Sequence, residues 1–180
     1  YGRGRASTRI PLADGAGDVA AVGPGVTDVA VGDRVTACHF TNWIAGELGA
    51  NSRIADLGSS ADGWLAEFAI LPAAALVRIP PIFSHEEAAC LPVAAATVWN
   101  SLVAFAQLKG GETLLTLGTG GVSTMALQFG RILGARVAVT SSSDEKLARM
   151  KELGADIVVN YAKDADWNEA ILKATDGVGV

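Results

Sequence analysis

The amino-acid sequence predicts an α/β chain in which a β-rich region precedes a parallel sheet covered by helices. Three observations carry this. Up to about residue 80, short apolar runs are broken by Gly and Pro turns. From Glu112 onward, apolar runs alternate three times with segments whose apolar residues recur at helical spacing. That alternation implies parallel strands joined by right-handed crossovers. Between the first such run and the first such helix stands a glycine-rich turn, in the stretch LGTGGVSTMALQFG at Leu117–Gly130.

In the first region Asp18–Gly23 reads as a strand, followed by a turn at Pro24-Gly25, where Pro sets φ and Gly accepts φ > 0. A second turn, Val31-Gly32-Asp33, leads to a strand at Arg34–Ala37. Residues 41–63 show no period and many Gly, Ser and Asn, and read as a long excursion. Leu65–Leu71 and Ala75–Ile79 read as two more strands separated by Pro72. Ser84-His85-Glu86-Glu87 is a capping box, with His85 a solvated residue at the helix start. A helix follows over Ala94–Ala106, with Val98, Leu102 and Phe105 on one face.

The second region opens with a strand at Thr113–Leu117. Val122, Met125, Ala126, Phe129, Ile132 and Leu133 then fall at the spacing of one apolar helix face. Arg136–Thr140 is a valine-rich strand. Ser142 and Glu145 form a second capping box, opening a helix with Leu147, Met150 and Leu153 inward and Gly154 at its end. Ile157–Val159 is the third strand. Asp164–Thr175 is the third helix, with Trp167, Ala170, Ile171 and Ala174 on one face, and a further strand is expected to begin at Val178. The expected domain division is residues 1–95 and 96–180.

Composition narrows the function. The 180 residues are half hydrophobic, 18% are charged, and the net charge is −5. Apart from arginines 3, 5 and 9 there is no basic cluster, which argues against nucleic acid as a partner. No run approaches the roughly 18 apolar residues of a membrane span, and no signal-peptide pattern is present. Cys38 and Cys90 are far apart and outside any CxxC pair, so they are expected to be buried or half-buried thiols, as in a reducing cytoplasm.

The turn Gly118-Thr119-Gly120-Gly121-Val122-Ser123 matches G-x-G-x-x-G with Ser123 in the third glycine position. Its place between strand and helix strengthens the match. The first Gly permits the tight turn, and the second lets backbone approach a pyrophosphate. Free amides at the helix start then face the phosphates. NAD sites usually carry an acid about 20 residues further on, at the end of the second strand. Here that strand ends in Thr140-Ser141-Ser142-Ser143, and Asp144 already lies in the next helix. Serine hydroxyls and Lys146 suit a 2′-phosphate, which a carboxylate would repel. The reading is NADPH, with NADH as the alternative. Helix capping by the serines and a solvated role for Lys146 remain open.

Taken together these residues resemble the medium-chain dehydrogenase/reductase superfamily. The carriers are Asp14-Gly15-Ala16-Gly17 with Val22-Gly23-Pro24-Gly25-Val26, Val31-Gly32-Asp33-Arg34-Val35, and Asp62-Gly63-Trp64-Leu65-Ala66-Glu67-Phe68. They continue in Glu87-Ala88-Ala89, Leu91-Pro92, Thr97, the Gly118–Ser123 turn and Leu153-Gly154-Ala155-Asp156. The chain is most similar to the zinc-free quinone oxidoreductase-like and alcohol dehydrogenase-like branch.

The resemblance implies a GroES-like β domain packed against a Rossmann domain, both partial here, with the active site in the cleft between them. Zinc-dependent members carry Gly-His-Glu where this chain has Leu12-Ala13-Asp14, and a Cys where it has Val93. The four-cysteine structural lobe would fall within residues 41–63, which hold no Cys. No zinc is therefore expected. Without that Lewis acid, alcohol oxidation loses its alkoxide stabiliser, and hydride transfer from NADPH to a quinone or α,β-unsaturated carbonyl becomes the expected reaction. An alcohol or aldehyde dehydrogenase and a non-catalytic NADPH-binding or structural protein are the alternatives. By the resemblance, Thr97 lies near the nicotinamide and Tyr161 near the 2′-phosphate. Asn42 and Trp43 are candidates for a substrate pocket, although Trp43 also suits ordinary packing. Complete members are considerably longer and dimeric. The chain is therefore expected to be a fragment holding the phosphate cradle, three parallel strands and a small-molecule site that is incomplete.

Overall fold

The computed structural model describes residues 8–43, 45–46 and 55–180. Arg3, Arg5 and the middle of the excursion lie outside the described residues. The chain divides into two compact units, Tyr1–Val93 and Ala94–Val180.

The first unit holds an antiparallel sheet of β1 (Ala16–Asp18), β2 (Arg34–Ala37) and β3 (Leu76–Arg78), in that order. β2 lies where the sequence puts it. β1 begins two residues earlier than expected and ends where the expected strand starts. Beyond it Val19 stays paired to the next turn, donating to Asp33 O at 2.9 Å and accepting from Gly32 N–H. The turns hold as read, with Gly25 at φ +77° and Gly32 at φ +89°. Asp33 pins the second turn. Its Oδ2 accepts from Ala30 N–H and Arg78 Nε, each at 2.9 Å. Both bonds favour the ionised form, the Ala30 amide more strongly, and hold the carboxyl below its usual range. Val19, Val29 and Val35 form the core, with Val26, Ala73 and Leu76 against it.

Leu65–Leu71 is not a strand. The two residues before it bond back to Ile10 and Leu12 (Gly63 N–H to Ile10 O at 2.8 Å, Trp64 N–H to Leu12 O at 2.9 Å), Leu65 N–H donates to Pro11 O at 3.1 Å, and no strand pairs with the rest. Phe68 and Ile70 stay in solvent, so alternation alone had no neighbour to convert it into a ladder. The Ser84 capping box is complete and opens α1 (His85–Ala89). His85 Nε2 sits 3.2 Å from Asp18 Oδ1. Cys38 and Cys90 are both exposed, not buried.

A π-helical turn at Leu91–Ala95 spans the division between the units and leads into α2 (Ala96–Trp99), which a second π-helical turn at Asn100–Phe105 follows. The wider turns rotate the expected face. Val98 is buried and Leu102 half-buried, but Phe105 is exposed.

β4 (Thr113–Leu117), β5 (Arg136–Ser141) and β6 (Ile157–Asn160) form a parallel sheet in that order. The helices α3 (Gly121–Ile132), α4 (Asp144–Glu152) and α5 (Trp167–Ala174) alternate with the strands. The core gathers Leu127, Val137, Val139, Leu147, Met150 and Ala155, with Leu114 and Val158 against it.

α3 buries Ala126, Leu127 and Gly130, whereas Val122 and Ile132 are exposed. The face is turned by about one residue from the expected one because Gly130 makes the closest approach to the sheet. A Cβ there would lie 2.9 Å from Val137 Cγ2 and 3.1 Å from Leu114 Cδ2. Leu127, with no exposed surface, anchors the layer. Leu127→Ala is expected to cost about 2–5 kcal/mol in urea unfolding.

The cap of α4 is Ser143, not Ser142, with Ser143 Oγ accepting from Lys146 N–H at 3.3 Å. Leu153 is half exposed rather than inward. Val178–Val180 form no strand. Gly177 and Gly179 both take positive φ, and Gly179 N–H donates to Thr175 Oγ1, so the chain turns there.

Candidate dinucleotide site

Gly118 leaves the end of β4 at φ +91°, a conformation that suits glycine. Its N–H donates to Thr140 O at 2.9 Å, tying the turn to the end of β5. Gly120 caps α3 without a side chain, so no side-chain acceptor takes the first-turn amides. A Cβ built on Gly118 or on Gly120 would meet nothing within 4 Å. The space before Gly121 and Val122 is therefore open and faced by the positive end of a twelve-residue helix. Ser123, half-buried, stands 3.5 Å from Leu117 O through its hydroxyl.

At the end of β5, Ser141 is buried, and its Oγ accepts from Ser143 N–H at 3.2 Å. Ser142 is exposed. Lys146 lines a cavity of about 520 Å³ together with Thr119, Thr124, Arg149, Met150, Glu152 and Leu153. Arg149 and Thr124 were not singled out in the sequence. The available signal for Arg149 was its i+3 spacing from Lys146 on a helix. Tyr161 is exposed, and its backbone N–H donates to Ser141 O at 3.1 Å.

The first acid after β5, Asp144, is engaged on both oxygens. Oδ1 accepts from Asn160 Nδ2 at 2.5 Å, and Oδ2 pairs with Lys163 Nζ. These partners, Lys163 first, hold its carboxyl below the usual range.

The structure thus brings Gly118, Thr119, Gly120, Gly121 and Val122 together with Thr140, Ser141 and Lys146 in one unit. Thr97 lies exposed on α2, and its carbonyl accepts from Ser101 Oγ at 2.8 Å. Asn42 and Trp43 belong to the other unit. Trp43 Nε1–H donates to Gly46 O at 3.1 Å, and its ring meets Phe40 edge-on at 6.1 Å.

Known proteins resemble this chain over both of its units. Residues 2–81 match the family model "Alcohol dehydrogenase GroES-like domain", and residues 121–180 match "Zinc-binding dehydrogenase". The chain is 47% identical over 172 residues to a zinc-type alcohol dehydrogenase-like protein of Schizosaccharomyces pombe, covering 94% of this chain and 50% of the relative. A solved NAD-dependent alcohol dehydrogenase is 34% identical at TM-score 0.85, covering 96% of this chain and 52% of that one. A quinone oxidoreductase of Pseudomonas syringae pv. Tomato DC3000 is 35% identical at TM-score 0.71, covering 91% and 44%. The chain belongs to the medium-chain dehydrogenase/reductase superfamily. It spans about half the length of the curated relatives it matches, and it joins a GroES-like region to a Rossmann-like one.

Within this superfamily the dinucleotide fits the residues present. The open space at Gly120, the uncapped amides of α3 and the Lys146–Arg149 side of the cavity are complementary to phosphate. Ala13 and Val93, the positions that the resemblance matches to the His and Cys of zinc-dependent members, carry no ligating side-chain atom. Asp14 Oδ1 instead accepts from Val93 N–H at 2.9 Å. Among the described residues no three His, Cys, Asp or Glu side chains are grouped to hold a metal. No described helix is long and apolar enough to cross a membrane.

Proposed function

We propose that this chain carries the phosphate-holding half of a zinc-independent, NADPH-dependent oxidoreductase that delivers hydride to a quinone or an α,β-unsaturated carbonyl. The observation that carries the reading is the pairing of an open, uncapped α3 start with a β5 end that presents Ser141, Ser142 and Lys146 and whose first carboxylate, Asp144, is paired on both oxygens. When bound, the dinucleotide supplies the hydride. The α3 amides would hold its pyrophosphate, and Lys146 with the serines its 2′-phosphate. Thr97 would stand near the nicotinamide and Tyr161 near the 2′-phosphate. With no ligating atom at positions 13 and 93, a conjugated acceptor that spreads its own charge suits the site better than an alcohol. On this reading the full-length enzyme is cytoplasmic and homodimeric, and residues 1–95 and 96–180 are its two partial domains.

Calorimetric titration of the chain with NADPH tests the cradle. Saturable binding below about 1 mM, weakened severalfold for NADH, is expected. No heat at millimolar cofactor would sink the reading. A second reading, alcohol or aldehyde oxidation, is favoured by the names of several relatives. A panel of quinones, enones and aldehydes with the full-length protein separates the two.

A further inference from the structure

We propose that Asn160 and Lys163 act as a latch on Asp144, holding its carboxylate so that the site prefers a 2′-phosphorylated cofactor. The inference rests on the NADPH reading above and concerns how that preference is set. Asp144 opens α4 three residues after β5 ends, between Ser143 and Lys146. A free carboxylate there would accept from a ribose hydroxyl and repel a phosphate. In this chain neither oxygen is free to do so: one is taken by the Asn160 amide and the other by the Lys163 ammonium.

The partners are held by a turn of their own. Asn160 ends β6 in register with Ser141. Its Oδ1 accepts from Ala162 N–H at 3.0 Å, which orients the amide so that Nδ2 faces Asp144. The backbone N–H groups of Lys163 and Asp164 both donate to Asn160 O, at 3.1 and 2.9 Å. The turn thereby places Lys163 beside the carboxylate. Both members of the ion pair are more than half exposed, and exposed pairs contribute little to stability. What the pair does change is local charge. Lys163 offsets Asp144, and the cavity lining keeps Lys146 and Arg149 against the single carboxylate of Glu152, a net positive balance. Asn160 and Lys163 are positioning residues in this scheme, since they act through Asp144.

The test compares binding of 2′,5′-ADP and 5′-AMP to the chain by calorimetry. Unmodified chain is expected to prefer 2′,5′-ADP. Lys163→Ala should lower that preference about tenfold, Lys163→Arg should keep it, and adding Asp144→Asn to Lys163→Ala should restore it. The lysine is exposed, so thermal unfolding should move little. Lys163→Ala weakening both ligands equally, or a double variant that recovers nothing, would overturn the latch. If the unmodified chain shows no preference for the 2′-phosphate, the NADPH reading falls and the latch with it, so the two failures are told apart by the first titration.

Discussion

Gly120→Val is expected to lower the affinity for NADPH at least a hundredfold, about 3 kcal/mol, while the chain stays folded. The position is where the two roles of glycine separate. Gly120 has φ −79° and ψ −177°, ordinary extended backbone that valine adopts readily. A Cβ there meets no protein atom within 4 Å. The stability cost is therefore limited to a poorer helix cap, about 1 kcal/mol or less. Any loss of binding beyond this comes from filling the space in front of the α3 amides. Gly118→Ala is the contrasting case: at φ +91° a side chain is strained, and unfolding should register about 1–2 kcal/mol. Calorimetry beside thermal melts reads both effects. Unchanged NADPH affinity in Gly120→Val would mean that the turn holds no phosphate.

Gly63→Ala should be the most destabilising single-methyl addition in the first unit, about 3–5 kcal/mol. A Cβ at Gly63 would lie 2.1 Å from Leu12 O and 2.5 Å from Pro11 O. Both are backbone atoms, and the same segment is fixed by Trp64 N–H donating to Leu12 O and Leu65 N–H to Pro11 O. Leu12 itself sits at φ +77°, so the strand of chain that would have to yield is already strained. The comparison is Gly23→Ala, which meets no atom within 4 Å and should change urea unfolding by no more than about 0.5 kcal/mol.

Turn chemistry and periodicity made the second unit legible. Valines at Val137 and Val139, the glycine punctuation and the Gly118 turn place its strands within a residue or two of where they lie. Two of the misses share one cause, that a helix face or a strand is decided by what packs against it. The α3 face was misread because a glycine at position 130 carries no apolar signal although it is buried. Leu65–Leu71 alternates like a strand but has no partner. In the site, the glycines and Lys146 were legible from local pattern. The pairing of Asp144 with Lys163 was not, because it joins α4 to the turn after β6 across nineteen positions.

Gly130 has a bearing on the phosphate turn that no contact reveals. α3 is a stiff rod packed on the sheet through Ala126, Leu127 and the thin point at Gly130, and its first-turn amides project from the far end. Nine residues separate Gly121 from Gly130, about 14 Å of helix at 1.5 Å per residue. A side chain at position 130 would lift the rod at its fulcrum, and a tilt of about 5° swings the amide end by roughly 1 Å, enough to misaim groups that must meet a ligand at hydrogen-bond range. The aim of the cradle is set by a residue two and a half turns away that touches no ligand.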